Sequence, residues 1–152
     1  MNVVNLRLID REALVGPEQG TSRIFMWCVS SPAGRLIGFH RHDAEEIFRI
    51  LSGTIRYQVD GETRAVGPGE IIVIPAGAVH AYVTLEDAEL EVYGIVGARE
   101  FMVFRDAHGT TSEQEVFVRD LPWTGTPPDE SLYISRGERI RRYVEWYQAN
   151  PF

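Results

Sequence analysis

The sequence has one cysteine and no long apolar run, and these two absences exclude several classes of protein. Cys28 has no partner in the chain, so an internal disulfide is impossible, and its place in the apolar run 24–29 predicts a buried thiol. No stretch approaches the roughly 20 apolar residues of a membrane span. The first thirty residues carry Asp10, Glu12 and Glu18 and lack the apolar core of a signal peptide. We therefore expect a cytoplasmic protein without membrane contact.

Positive charge and nucleotide-binding motifs are also scarce. The formal net charge is -7, and lysine and arginine form no block longer than the pair Arg141 and Arg142. A surface of this sign repels phosphate backbones, so we expect no nucleic-acid partner. The sequence also has no GxSxG elbow, phosphate loop or dinucleotide fingerprint. Any chemistry must come from another arrangement of side chains.

The chain does contain many short segments of β type, separated by turn signals. At 152 residues and 44% hydrophobic composition, it is long enough to bury one core. Short strands at this spacing indicate a sandwich or barrel. The predicted strands are 3–9, 24–29, 35–40, 47–51, 54–59, 63–66, 70–74, 81–84, 90–96, 101–104 and 116–118.

The composition changes after residue 118. Residues 121–128 are rich in proline, glycine and threonine, and 138–148 place Ile140, Tyr143, Val144 and Tyr147 at helical spacing. We expect a barrel over 1–118 that includes an N-terminal strand arm. Residues 119–152 are expected to form a tail and an amphipathic helix, without a separate domain. The helix could pack on its own barrel or on a second subunit.

Four potential metal ligands fall on the predicted strands. His40 and His42 are two residues apart, so both imidazoles project from one face of a strand. Glu46 begins the next apolar strand, and His80 opens another after the turn 75–77. Neutral imidazole and carboxylate are common metal ligands, so four donors could meet inside one barrel.

Two segments resemble the paired motifs of the cupin superfamily. The first is Gly34, five residues, His40, one residue, His42, three residues, Glu46, six residues and Gly53; the second is Gly69, five residues, Pro75, one residue, Gly77, two residues and His80. Thr84 stands where the second motif ordinarily has asparagine. The resemblance implies an all-β fold, a single antiparallel jelly-roll barrel with a short C-terminal helix. It also implies that His40, His42, Glu46 and His80 hold one divalent metal ion.

Two further residues compete for a place at the site. Glu45 adjoins Glu46, but its side chain should leave the opposite face of the strand, and its spacing to Gly53 does not match the motif. His108 lies in a polar turn with no partner at ligand spacing. We expect both side chains to be exposed to solvent and to bind no metal.

Three imidazoles and one carboxylate would leave about two positions open on a six-coordinate ion, which is typical of a catalytic site. Iron would favour dioxygenase chemistry on an enol, diol or diketone, whereas zinc, nickel or manganese would polarise a carbonyl or activate water. The ligand types alone do not choose among Fe, Mn, Ni and Zn.

The strand alternation also predicts a pocket around the metal. Its expected lining is Trp27, Phe48, Tyr82 and Val92, with Gly94 and Val96 on the same inward face. An aromatic and aliphatic lining favours a small, flat, oxygenated substrate. Tyr82 lies two residues from His80 and is the predicted catalytic acid or base.

The sequence therefore predicts a metal-dependent enzyme of small-molecule metabolism, of dioxygenase type or of isomerase, lyase or cyclase type. The alternative is a ligand-binding or sensor barrel without turnover, and a purely structural or storage barrel conflicts with the intact ligand set. A homodimer is expected, paired through an edge strand or clasped by the tail with its residues Tyr143, Trp146 and Tyr147.

Overall fold

The computed structural model of the chain describes residues 14–105, 108, 110–118 and 130–149. The predicted strand 3–9 and the proline-rich segment 121–128 lie outside these residues, so the N-terminal arm and the domain limits stay predictions. The elements in chain order are β1 (Leu14–Val15), a 3₁₀ turn (Pro17–Gln19), β2 (Ile24–Ser31), β3 (Leu36–His42), β4 (Glu46–Val59), β5 (Glu62–Val66), β6 (Ile71–Ile74), β7 (His80–Ile95), β8 (Glu100–Arg105), β9 (Thr111–Val118), a second 3₁₀ turn (Glu130–Leu132), β10 (Tyr133–Ile134) and α1 (Arg136–Ala149).

The strands form one sheet that is almost entirely antiparallel. The order is β1-β2-β7-β3-β8-β9-β10, with β4 paired to β7 and with β5 and β6 paired to β4. Among the described strands this order does not return to its start, so no continuous ladder closes the barrel. Among the described strands, β10 alone runs parallel to its neighbour, β9. The all-β prediction with a short C-terminal helix is confirmed.

Two long strands replace two pairs of predicted short ones. Segments 47–51 and 54–59 join in β4, and segments 81–84 and 90–96 join in β7. Between Ile50 and Ile55 the β4–β7 register shifts, which lets the ladder bend without ending. Gly53 lies at this bend with φ of 75°, and a Cβ there would come within 2.3 Å of the Asp87 carbonyl oxygen. A glycine is therefore required at this position.

Alternation along the strands decides which side chains reach the core. On β4, Phe48 and Ile50 are buried and Arg49 is exposed, as the sequence predicts. On β2 the inward residues are Phe25, Trp27 and Val29, so Cys28 points away from the core and is half-exposed. The prediction of a buried thiol is therefore wrong. Partial burial, with Glu91 and Glu89 nearby, raises the pKa of this thiol.

Helix α1 packs on the sheet of its own chain. Its first turn is capped by Ser135, whose Oγ accepts a hydrogen bond from the Glu138 N–H at 3.1 Å. Tyr143 is 2% exposed and lies over Gly38 of β3, where an added Cβ would be 2.6 Å from the tyrosine ring. The Tyr143 side chain therefore packs against the sheet of its own chain. Of the helices in the described ranges, none is long and apolar enough to span a membrane.

Candidate metal centre

The structure brings together the four residues expected to bind metal. His40 and His42 end β3, while Glu46 and His80 are the first residues of β4 and β7. Each offers one donor atom, and these four atoms lie within 4.8 Å of one another. Glu46 Oε2 is 3.4 Å from His80 Nε2 and 3.7 Å from His42 Nε2. Strands distant in sequence therefore converge on one point.

Backbone carbonyls orient two of the imidazoles. His40 Nδ1 donates to the Gly38 carbonyl at 2.8 Å, and His80 Nδ1 donates to the Ala78 carbonyl at 3.0 Å. Because a carbonyl only accepts, each Nδ1 carries the hydrogen and each Nε2 keeps its lone pair. Both lone pairs are available to a cation, and such carbonyl bonds are typical behind metal-binding histidines.

Backbone bonds also fix the turn that carries His80. The Gly77 N–H donates to the His42 carbonyl at 2.7 Å, which ties this turn to β3. Asp60 holds the next part of the turn, since its N–H donates to the Val79 carbonyl at 2.8 Å and its Oδ1 accepts from the Val79 N–H at 2.9 Å. Asp60 itself adopts φ of 45° in the tight Asp60-Gly61 hairpin. Two histidines from separate strands are thereby held in register.

The donor set fits a divalent metal ion. Glu46 Oε2 and His80 Nε2 are buried and have no hydrogen-bond partner among the described residues. Buried polar atoms without partners are costly and rare, so two that face each other mark a place for a shared cation. Three nitrogens and one carboxylate oxygen suit Fe, Mn, Ni and Zn alike.

The protonation states also suit metal binding. Burial lowers the pKa of His40 well below its ordinary value, and the neighbouring His80, His42 and Arg139 lower it further. Burial alone would raise the pKa of Glu46, but His42, His80 and Arg139 bring it below its ordinary value. A neutral imidazole and an ionised carboxylate are the forms that bind metal.

A cavity opens beside the ligands. His40, His42 and Glu46 share its lining with all four residues expected in the pocket, Trp27, Phe48, Tyr82 and Val92. Most other lining side chains from the strands are apolar, including Phe25, Val29, Ile37 and Val116. Gly94 also lines it, whereas Val96 is buried outside the lining. The role of these residues in binding a substrate stays a prediction.

Tyr82 is enclosed by other aromatic rings. Its ring lies 5.1 Å from that of Tyr57 and 6.0 Å from that of Phe48. Burial raises the pKa of Tyr82, although Arg35 and Arg139 act in the opposite direction. The phenol is therefore protonated at neutral pH and suited to donate a hydrogen. Tyr57 lies in the predicted strand 54–59, but no spacing in the sequence links it to Tyr82 or to the metal ligands.

Sequence patterns do not predict a second group of buried charged residues, Glu100 and Arg139. Glu100 of β8 accepts from Arg139 Nη1 at 2.5 Å and from the Tyr143 hydroxyl at 2.8 Å, and the Tyr143 ring lies 5.7 Å from that of His40. Glu100 and Arg139 both line the cavity. Arg139 precedes Tyr143 by four residues, and this helical spacing could have placed both on the buried face. No spacing signal links either to Glu100.

The two competing residues lie where solvent reaches them. Glu45 is exposed in the loop before β4, as expected, and it also contributes to the mouth of the cavity. Its neighbour Glu46 belongs to the ligand cluster. His108 is exposed in a turn after β8 and outside that cluster.

Comparison with known protein families identifies the domain that carries the four ligands. A family model described as a cupin domain matches residues 27–96, a range that contains all four ligands. The structure of KdgF from Halomonas sp. is similar at a TM-score of 0.51 and 24% identity, covering 55% of this chain and 76% of that one. That likeness concerns the fold.

Two curated proteins are similar in sequence over shorter stretches. Dimethylsulfoniopropionate lyase DddQ from Ruegeria pomeroyi is 41% identical over 56 residues, which are 36% of this chain and 28% of that protein. The 5-nitrosalicylic acid 1,2-dioxygenase of Bradyrhizobium sp. is 26% identical over 91 residues, 58% of this chain and 44% of that protein. This chain thus spans less than half the length of either relative.

Proposed function

Since the chain belongs to the cupin superfamily, we propose that it is a metal-dependent enzyme acting on a small organic molecule. The reaction is of dioxygenase type or of isomerase, lyase or cyclase type. The observation that carries this proposal is the pair of buried, unpartnered atoms, Glu46 Oε2 and His80 Nε2, within a cluster of four ligand atoms. The cavity beside them supplies the room for a substrate.

The side chains around the cavity have three separate roles in this proposal. His40, His42, Glu46 and His80 would hold the ion, which supplies Lewis-acid polarisation or, if it is redox-active iron, dioxygen chemistry. The apolar wall, with Phe48 and Val92, excludes water from the reacting atoms. Tyr82 keeps its proton at neutral pH and donates a hydrogen bond to an oxygen that gains negative charge.

The two curated relatives support both branches of the proposal. One is named a lyase, which is non-redox chemistry, and the other a dioxygenase. Because this chain covers only part of each, their substrates are not carried over. A homodimer in the cytoplasm remains our prediction from the sequence; deletion of residues 123–152 should change the mass in solution if the tail clasps a partner.

Metal analysis tests the proposal directly. Anaerobically purified full-length chain is reconstituted separately with Fe(II), Mn(II), Ni(II) and Zn(II), and bound metal is measured after desalting. We expect about one equivalent of at least one metal in the wild type and in the exposed control His108→Asn. Glu46→Gln should weaken binding by about 100-fold, because it removes the charged ligand. Less than about a tenth of an equivalent under every condition would refute the proposal.

Turnover then separates the two chemical branches. Oxygen uptake is followed with diketones, catechols and keto acids on the iron form, and product formation under nitrogen is followed on the other forms. Consumption of oxygen that stops in His80→Ala supports the dioxygenase branch. Product formed without oxygen supports the isomerase, lyase or cyclase branch.

A ligand-binding barrel without turnover is the second candidate. It is favoured by the raised pKa of Tyr82, which removes this residue as a base near neutral pH. In that case a compound binds the metal-loaded protein tightly but returns unchanged after prolonged incubation. Turnover that is lost in both His80→Ala and Glu46→Ala, with ligand binding kept, would exclude this candidate.

A further inference from the structure

Arg139 of α1 is a buried cation in the wall of the cavity. The residue is 6% exposed and lines the same cavity as His40, His42 and Glu46. A buried arginine is normally satisfied on every side, because its fork of N–H donors is strongly polar. Its partners therefore indicate whether it is only an anchor for the helix.

The anchor accounts for part of the guanidinium group. Arg139 Nη1 donates to Glu100 Oε2 at 2.5 Å, and the other oxygen of Glu100 accepts from the Tyr143 hydroxyl at 2.8 Å. Both carboxylate oxygens of Glu100 are thus engaged. Arg139 Nε is buried and has no acceptor among the described residues. The guanidinium group keeps a donor that its protein partners do not use.

The charges around the cavity indicate what kind of ligand could accept a hydrogen bond from the unused N–H of Arg139. Among the residues that the structure describes, the charged side chains of the lining are the carboxylates Glu45, Glu46 and Glu100 and the guanidinium groups Arg35 and Arg139. With the histidines neutral, a divalent ion would leave this lining with one net positive charge. One monoanion would neutralise it.

We propose that Arg139 binds the carboxylate of the substrate, which is a small monocarboxylate with an apolar or aromatic body. The inference rests on the proposed function, since it places this carboxylate in the cavity beside the metal. A guanidinium fork matches the planar geometry of a carboxylate. Phosphate fits less well, because a dianion would exceed the single positive charge and Glu100 already faces the same guanidinium. Phe48, Trp27 and Val92 receive the apolar body.

Matched pairs of ligands test this site without knowledge of the substrate. The pairs are acetate and acetamide, benzoate and benzamide, and 3-phenylpropanoate and its amide; each amide keeps the shape and loses the charge. Binding is measured by calorimetry on the full-length chain, both loaded with Zn(II) and freed of metal. Inorganic phosphate serves as the competing anion.

The variant must remove the cation without leaving Glu100 as an unpaired buried charge. Arg139→Gln combined with Glu100→Gln removes both charges, so neither residue is left as an unpaired buried ion. Arg142→Gln is the matched control on the same helix, because Arg142 pairs with Glu138 at 2.8 Å and does not line the cavity. Circular dichroism confirms that each variant is folded.

We expect at least one carboxylate to bind the wild type and the control more tightly than its amide. In the double variant, carboxylate affinity should fall by about tenfold or more, while amide affinity changes by less than about twofold. A merely structural role for Arg139 would weaken both members of a pair equally and would overturn the proposal. So would unchanged carboxylate binding, a preference for phosphate, or no carboxylate binding to the wild type at about 20 mM.

The two proposals fail in different ways. If no metal binds, the proposed enzyme is refuted, yet loss of carboxylate binding in the metal-free double variant still supports the Arg139 site. If metal binds normally and the carboxylate affinity is the same in the wild type and in the double variant, only the proposed anion site is refuted.

Discussion

Glu100 and Glu46 both line the cavity, but their hydrogen bonding differs. Glu100 has a hydrogen-bond partner at each oxygen, Arg139 and Tyr143. Glu46 Oε2 is buried and has no such partner in the described part of the chain. The first carboxylate joins the helix to the sheet, and the second is available to a ligand. Glu46 belongs to the ligand side of the cavity, among the four metal ligands, and Glu100 belongs to its helix side, where Arg139 reaches in from α1.

Removing each charge in turn gives the largest expected effects. In metal-free protein, Glu100→Gln should lower the free energy of unfolding by about 3 kcal/mol or more, because it leaves Arg139 as an unpaired buried cation. Glu46→Gln should lower it by less, about 1 kcal/mol, because Oε2 has no hydrogen bond to lose and the variant gives up only the attraction of His42, His80 and Arg139. Urea denaturation measures both.

Addition of metal should narrow the difference between the two variants. A tightly bound ion stabilises the wild type and Glu100→Gln alike, but it stabilises Glu46→Gln by up to about 2.7 kcal/mol less, because the affinity of that variant is about 100-fold lower. Equal losses for the two variants without metal would show that Glu46 is also a structural anchor, and the contrast between the two carboxylates would not hold.

The contact between Tyr143 and Gly38 joins the two sides of the cavity. Gly38→Ala should destabilise the protein by about 1–3 kcal/mol, because the new Cβ would lie 2.6 Å from the Tyr143 ring and the helix must shift. In the Tyr143→Ala background the same substitution should cost much less, since the ring is gone. Thermal or urea unfolding of the two single variants and the double variant measures this coupling. Additive costs would mean that the helix does not rest on β3 in solution.

Mild acid should lower the stability of the metal-free protein through the residues of the ligand side. The unfolded chain protonates His40 near pH 6.5, whereas the folded protein keeps it neutral to lower pH because the ring is buried. The unfolded state therefore binds more protons below pH 6.5, and the stability of metal-free protein falls as the pH decreases from that value. The lowered pKa of Glu46 adds a further loss below about pH 4.5. Urea unfolding at pH 7.5 and 5.5 measures the change.

Substitutions identify the group responsible for this pH dependence. His40→Gln should flatten it, and His108→Asn should leave it unchanged because His108 is exposed outside the cluster. The same slope in all three proteins would assign the effect to other groups.

The ligand side of the cavity could be predicted because short spacings place its residues on strand faces, and because the resemblance to the paired cupin motifs joins His80 to the other three ligands. Two histidines two residues apart share a strand face, and turn residues such as Gly77 fix where His80 begins the next strand. The same rules placed Phe48 and Val92 on the inward face. They failed at Gly53, because a turn-forming glycine also occurs inside a bent strand.

The helix side could not be predicted, because it depends on contacts between distant segments. Helical spacing identified Tyr143, but Glu100 and Arg139 are 39 residues apart and only the docking of α1 on β3 brings them together. Cys28 shows a different limit, since an apolar run such as 24–29 does not reveal which alternate residues face inward. Sequence patterns thus identified the metal ligands and the apolar strand residues of the lining, whereas only tertiary packing placed Glu100 and Arg139 in the cavity.

Gly137→Ala should give the smallest effect and test whether the two sides are independent. This residue lies in the first turn of α1, and an added Cβ would meet only the Ser135 Oγ, at an ordinary 3.9 Å. Alanine loses less backbone entropy than glycine on forming a helix, so stability should rise by about 0.5 kcal/mol. Metal affinity should not change, because Gly137 touches no ligand. A stabilised helix that also altered metal affinity would show that the anchor at Glu100 controls the geometry of the ligands, and the division between the two sides would have to be abandoned.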